Sequence, residues 1–221
     1  MLTLSIHTSG GACDVALIRD ASLVGRKTEA MKRGHDQRLP VLTQELILTS
    51  GVRLSDVDQF AVNVGPGSFT GIRVGVAFAR GLALANESSA IGITSLEAMF
   101  LPDHTGPQLA LLPARQRLPD LSFWAQGIGI AGLEQPVELD VEHLERYVSA
   151  SPICLVPETL PDAFDETLTR LPTVRQSSSD AVTSGQAAQR SGPAGDHPAR
   201  PAYVREPDAI PAKPVRHVAD H

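Results

Sequence analysis

Long apolar runs, clustered cysteines and blocks of one charge sign are all missing from this chain of 221 residues. No segment approaches the roughly 18 consecutive apolar residues that a membrane-spanning helix needs, so the sequence predicts a soluble protein with no membrane partner. The opening stretch MLTLSIHTSG is too short and too polar to act as the apolar centre of a targeting signal. Cys13 and Cys154 are the only cysteines and lie far apart. That usage argues against a disulfide framework or a structural zinc cluster and predicts a reduced, cytoplasmic protein. The formal net charge of -6 comes from 25 acidic and 19 basic residues without a long run of either. An autonomous nucleic-acid binder would carry a positive footprint, so RNA contact is expected only through a partner.

The residue pattern supplies two periods. Leu2, Leu4 and Ile6 alternate with Thr3, Ser5 and His7; after Gly10-Gly11 the alternation resumes at Cys13, Val15 and Leu17, which predicts a β-hairpin. A third, edge-like strand is expected over 22–29. Leu39, Leu42 and Leu46 then recur at helical spacing, with Pro40 fitting only near the first turn. Phe60 to Val64 is a strand candidate that stops at Gly65-Pro66-Gly67, and a second helix is expected from Thr70 to about Ala85. Ala90 to Ile93 predicts another strand, and Thr94 with Glu97 stands at the capping-box interval of a further helix. Strands first in a meander and then alternating with helices predict a mixed α/β sheet covered by helices. Residues 102–107 are the expected hinge, dividing a first lobe (1–101) from a second, smaller and more divergent α/β lobe (102–221). In that second lobe strands are expected near 109–112, 121–125 and 153–156, and helices over 141–148 and 180–190, the last rich in alanine and expected to bury little. From Gly192 onward proline recurs too often for a regular element.

The strongest local signal is Gly65-Pro66-Gly67-Ser68-Phe69-Thr70-Gly71-Ile72-Arg73, between a strand and a helix. Thr70 is a cap candidate, and free amides at such a helix start suit an anion; the same glycines equally suit a tight, closely packed turn. The segment has neither a Walker lysine nor dinucleotide spacing. Arg73 opposes the helix dipole in the first turn, so a compensating partner is expected. Gly71, Gly75 and Ala79 recur every four residues, giving a flat face for close packing inside the chain or against another. In the hairpin, Thr8 and Ser9 would line a phosphate-binding turn and Asp14 would help hold a cation, or the three simply make a hydrogen-bonded turn. Thr8, Ser9, Asp14, Gly65 and Gly67 are therefore the cofactor-binding candidates. No catalytic residue and no metal set is assigned. His35, His104 and His143 do not form ligand spacing, Ser68 is not in a nucleophile elbow, and Cys13 alternates with core-facing positions.

LTLSIHTS, CDVAL, HDQRLPVL, NVGPGSFTGIRVGVAFARGLA and IGITSLEAM, in that order, closely resemble the TsaB family, also called YeaZ. The resemblance implies an actin-like, ribonuclease-H-like fold, akin to sugar kinases and to the first lobe of TsaD. It implies a non-catalytic scaffold for threonylcarbamoyl transfer to N6 of adenosine 37 in tRNAs that read codons beginning with A. TsaD-type and TsaE-type proteins are the implied partners, the isolated chain is either a monomer or a homodimer, and no intrinsic cofactor is implied, ATP and magnesium serving the assembled pathway. By the same resemblance, Leu39, Leu42 and Leu46 on the first long helix and Gly71, Arg73, Gly75 and Ala79 on the second belong to the pairing surface. The chain departs from the family at His7, where an aspartate is usual, and at Pro113-Ala114-Arg115, where Asp-Ala-Arg is common. Residues 201–209 again resemble the family tail. The alternative function is an ATP-dependent phosphotransferase of the same superfamily, using the hairpin and the Gly65 to Arg73 turn around phosphates.

Overall fold

A computed structural model describes residues 1–149, 151–191, 196–202 and 204. The elements follow the order β1 (Leu2–His7), β2 (Ala12–Arg19), β3 (Ser22–Ala30), α1 (His35–Ser50), β4 (Gln59–Asn63), α2 (Phe69–Ala85), β5 (Ser89–Ile93), β6 (Gln108–Arg115), β7 (Ser122–Ile128), β8 (Val137–Asp140), α3 (Val141–Val148), β9 (Ile153–Val156), α4 (Asp165–Thr169), β10 (Thr173–Gln176) and α5 (Ala181–Arg190). They build two five-stranded sheets, ordered β3-β2-β1-β4-β5 and β10-β9-β6-β7-β8. In the first sheet β2 is antiparallel to β1 and β3, while β4 and β5 run parallel with β1. In the second, β7 is antiparallel to β6 and β8, while β9 and β10 run parallel with β6. The second sheet thus repeats the mixed, ribonuclease-H-like connectivity of the first.

Alternation along β1 sends Leu2, Leu4 and Ile6 into a core shared with Leu39, Leu42 and Leu46 of α1 and with Ile72, Val76 and Ala79 of α2. The other face is not left to water. Thr3 and Ser5 are fully buried there, because α5 lies across the sheet. Small residues make that possible: a β-carbon on Gly185 would stand 2.7 Å from Ile18 Cγ1 and 2.9 Å from Ser5 Cβ. Ala181, Ser184, Gly185, Ala187 and Ala188 are all buried, so the alanine-rich helix buries far more than its composition suggested.

Several expectations are corrected. Pro40 lies in the second turn of α1, where Asp36 and Pro40 are both exposed and solvent replaces the missing backbone bond. Ser68, not Thr70, caps α2, its hydroxyl accepting from Gly71 N at 3.3 Å. Thr94 and Glu97 do form the reciprocal box, at 2.8 and 2.9 Å, but only a 3₁₀ turn, Glu97–Met99, follows. Pro102 lies just beyond, and Phe100 is already extended. β8, α4 and β10 were not anticipated.

The division at 102 also needs amending, because α5 and residues 196–202 pack on the first lobe. Across the connection, Gln108 clasps Leu101, accepting from its N at 2.8 Å and donating to its O at 3.0 Å. Segment 196–202 runs along the open edge of β5, where Gly92 N donates to His197 O and Ala202 N to Val64 O, each at 2.9 Å. Of the stretch 201–209, Tyr203 and residues 205–209 lie outside the described residues.

Candidate functional site

The turn between β4 and α2 is shaped by what leans against it. Ser68 N donates to Ser9 O at 2.8 Å, and Thr8 Oγ1 donates to Gly71 O at 2.7 Å. β-Carbons on Gly67 and Gly71 would run into the carbonyl oxygens of Ser9 and Thr8, and one on Gly75 into the Thr8 hydroxyl. Gly65, at φ +100°, occupies backbone space that favours glycine. The four-residue spacing of small residues therefore receives the β1–β2 turn of the same chain.

Beside this turn, Asn63 Oδ1 accepts from Ser9 Oγ at 2.7 Å, Ser95 Oγ at 2.9 Å and Gly65 N at 3.0 Å. His7 Nε2 stands 3.4 Å from Ser9 Oγ and 3.3 Å from Ser179 Oγ, which joins the first lobe to the segment leading into α5. Burial pushes the His7 imidazole below its ordinary pKa, against the opposing pull of Asp14 and Asp180. Of these groups, His7, Ser9, Ser95 and Ser179 border a cleft of about 640 Å³ between the lobes, closed on the far side by Leu112, Pro113 and Trp124. Of the five cofactor candidates, Ser9 and Gly67 line it; Thr8, Asp14 and Gly65 do not.

Asp14 is corrected as a cation ligand. Its carboxylate is 2 % exposed, takes Arg26 in two hydrogen bonds of 2.9 and 2.8 Å, and accepts Ala181 N of α5 at 2.9 Å. Arg26 also meets Asp180, the α5 cap, at 3.4 Å. Among the described residues the lining of the cleft contains no carboxylate, so that donor set does not fit a magnesium ion held for a nucleotide. Among the described residues no group of three or more His, Cys, Asp or Glu side chains is placed to hold a metal. Cys13 is fully buried, and burial lifts its thiol to about 11, which makes it packing rather than a nucleophile.

The pairing surface is corrected in the same way. Leu39, Leu42, Leu46, Gly71, Gly75 and Ala79 are all buried inside the chain. Arg73 alone of that set is exposed, and its guanidinium lies over the Phe69 ring at 3.8 Å from the centroid, a cation–π contact. The outward faces of α1 and α2 carry different residues. Val41 and Leu48, seven apart on α1, and Phe69 and Leu84 on α2 are exposed, Leu48 at 71 % and Leu84 at 82 %. Phe69, Arg73, Arg80 and Leu84 fall on one face of α2 at helical spacing. The seven-residue interval between Val41 and Leu48 was the signal available for the α1 half.

Residues 22–117, from β3 into the start of the second sheet, match the family model for TsaD, tRNA N6-adenosine threonylcarbamoyltransferase. Over 99 residues the chain is 42 % identical to the tRNA threonylcarbamoyladenosine biosynthesis protein TsaB of Escherichia coli K12, covering 45 % of this chain and 42 % of that one. The corresponding protein of Haemophilus influenzae is 41 % identical over 99 residues. Over its first lobe, the chain is similar to the TsaB/YeaZ proteins. It spans about two fifths of the length of these curated relatives, 42 % and 40 %. The fold extends further: YeaZ from Pseudomonas aeruginosa superposes with a TM-score of 0.63 at 21 % identity, over 91 % of this chain and 99 % of that one. A second Pseudomonas aeruginosa structure, described as similar to peptidase YEAZ, gives 0.67 at 23 % identity over 92 % and 99 %. The shared fold thus includes the second lobe. Among the described residues no helix is long and apolar enough to cross a membrane.

Proposed function

We propose that this chain is the non-catalytic, TsaB-type subunit that pairs with a TsaD-type enzyme for threonylcarbamoyl transfer to N6 of adenosine 37 in tRNA. The observation that carries the reading is the set of exposed apolar side chains on α1 and α2, Val41, Leu48 and Leu84, on the lobe that matches the TsaB relatives. Large apolar groups left exposed on helices that are already packed below favour a protein partner. Among the described residues its cleft lining holds no carboxylate, and in this reading the chain contributes a surface rather than a chemical step. A TsaE-type ATPase joins the assembled pair, ATP and magnesium act there, and the isolated chain self-associates through the same helices. tRNA is held by the complex, in keeping with the net charge of -6.

Reconstituted tRNA modification, with the TsaD-type, TsaE-type and adenylate-forming proteins present and this chain omitted or restored, tests the proposal. Modification should require the chain, and the double variant Leu48→Glu, Leu84→Glu should weaken pairing with the TsaD-type protein at least about tenfold. Modification at full rate without the chain, or unimpaired pairing by the folded double variant, overturns it.

A further inference from the structure

A groove of about 720 Å³ runs between the C-terminal half of α2 and segment 196–202. Its apolar surface comes from Leu84, Ala90, Pro198 and the buried Ala199, and Arg80 and Arg200 stand at its rims. Among the described residues no carboxylate lines it. Both arginines are exposed, and among the described residues neither has a carboxylate partner. α2 itself holds two arginines and no acidic residue, in a chain whose overall charge is negative. The wall formed by 196–202 is held in place: Pro198 bridges Ile91, and a β-carbon on Gly92 would stand 2.6 Å from Pro198 O.

We infer that this groove docks an acidic segment of a partner protein, one that presents a large aliphatic side chain to Leu84 and carboxylates to Arg80 and Arg200. The inference rests on the pairing role assigned to α2 and adds the chemistry of the segment it takes and the share of segment 196–202 in the surface. Planar guanidinium groups beside a small apolar floor suit paired carboxylates, each in a forked contact, and the open floor accepts a leucine-sized group. Charge complementarity across such a rim sets partner choice and association rate.

Fluorescence anisotropy with a fluorescein-labelled peptide of Glu-Glu-Leu-Leu repeats, beside its Lys-Lys-Leu-Leu counterpart, tests the groove without a natural partner. The acidic peptide should bind, and raising salt from about 0.05 to 0.5 M should weaken it at least about fivefold as screening shortens the reach of the arginines. Arg80→Glu and Arg200→Glu, both exposed, should each weaken binding about fivefold or more. Gly92→Val, which forces Pro198 away, should do the same while speeding amide exchange at Ile91 to Ile93. Equal binding of the two peptides, or indifference to both charge reversals in folded protein, overturns the inference. The charge reversals are then measured against the TsaD-type protein. If that protein binds wild type and both reversals alike, the groove inference falls and the pairing role stands. If it fails to bind wild type, the pairing role falls and the peptide result alone decides the groove.

Discussion

Gly71 is small because Thr8 rests on it. The Thr8 carbonyl fills the space a β-carbon would take, and the Thr8 hydroxyl bonds the Gly71 carbonyl at 2.7 Å. Gly71→Ala should therefore cost about 1–3 kcal/mol by overpacking, read from urea midpoints, although an alanine on a helix is otherwise favourable. Enlarging Gly75 has the same character and tests the core, not the partner surface. His7 makes a different demand. With its folded pKa pushed below 6.5, the unfolded chain takes up the proton first as pH falls, so folding stability rises with pH in this window. The His7 contribution is complete above about pH 6.5 and is lost as pH drops from there through the folded value. Urea midpoints of wild type and His7→Gln, compared between about pH 7.5 and 5, should show the acid-side loss reduced in the variant. Parallel pH curves would assign that loss to other groups. Arg26, Asp14 and Asp180 are the charged groups that surround His7, and all remain in the variant.

At the scale of elements, α5 binds the molecule together from its far end. Asp14 accepts the amide of its first residue, and Gln189 Nε2 donates to Ile18 O at 3.0 Å and to Thr3 Oγ1 at 3.1 Å. Gly185→Val should lift the helix off Ser5 and Ile18, lowering thermal stability and speeding amide exchange in β1 and β2. Unchanged exchange in those strands would show that the sheet does not depend on this contact. The helices α1 and α2 were legible because leucines and small residues repeat at helical intervals against a sheet whose own period is two. α5 was legible as a helix and misjudged in depth, since alanine, serine and glycine bury little area while permitting backbone approach. β8, α4 and β10 escaped for another reason: four- and five-residue elements carry too few positions for a period to show. Of the site, the glycine turn stood out in the sequence. The outward rows did not, because leucines at 39, 42 and 46 that mark the helix are the ones its fold conceals, and Asp14 looked available until Arg26 and α5 claimed it.

Over the whole molecule, one connectivity is used twice, and the two copies are treated unequally. The first sheet is covered on one side by α1 and α2 and on the other by α5, which follows the last strand of the second. A fragment ending at residue 101 should consequently expose Ile18, Ala61, Ile91 and Ile93 and elute from gel filtration as aggregate, although it contains the entire first sheet. Monomeric, cooperatively melting behaviour of that fragment would show that α5 is dispensable for the lobe. The arrangement also fixes an order in time. During synthesis β1 and β2 leave the ribosome well before the helix that seals their second face, which comes almost 170 residues later, as the Asp14 to Ala181 bond records with a separation of 167. At about 5–20 residues per second, the face formed by Thr3, Ser5 and Ile18 waits on the order of 10–30 s for its cover. The nascent chain spends that interval with half a core, and its yield in the cell will depend on whatever shields the open sheet until α5 emerges.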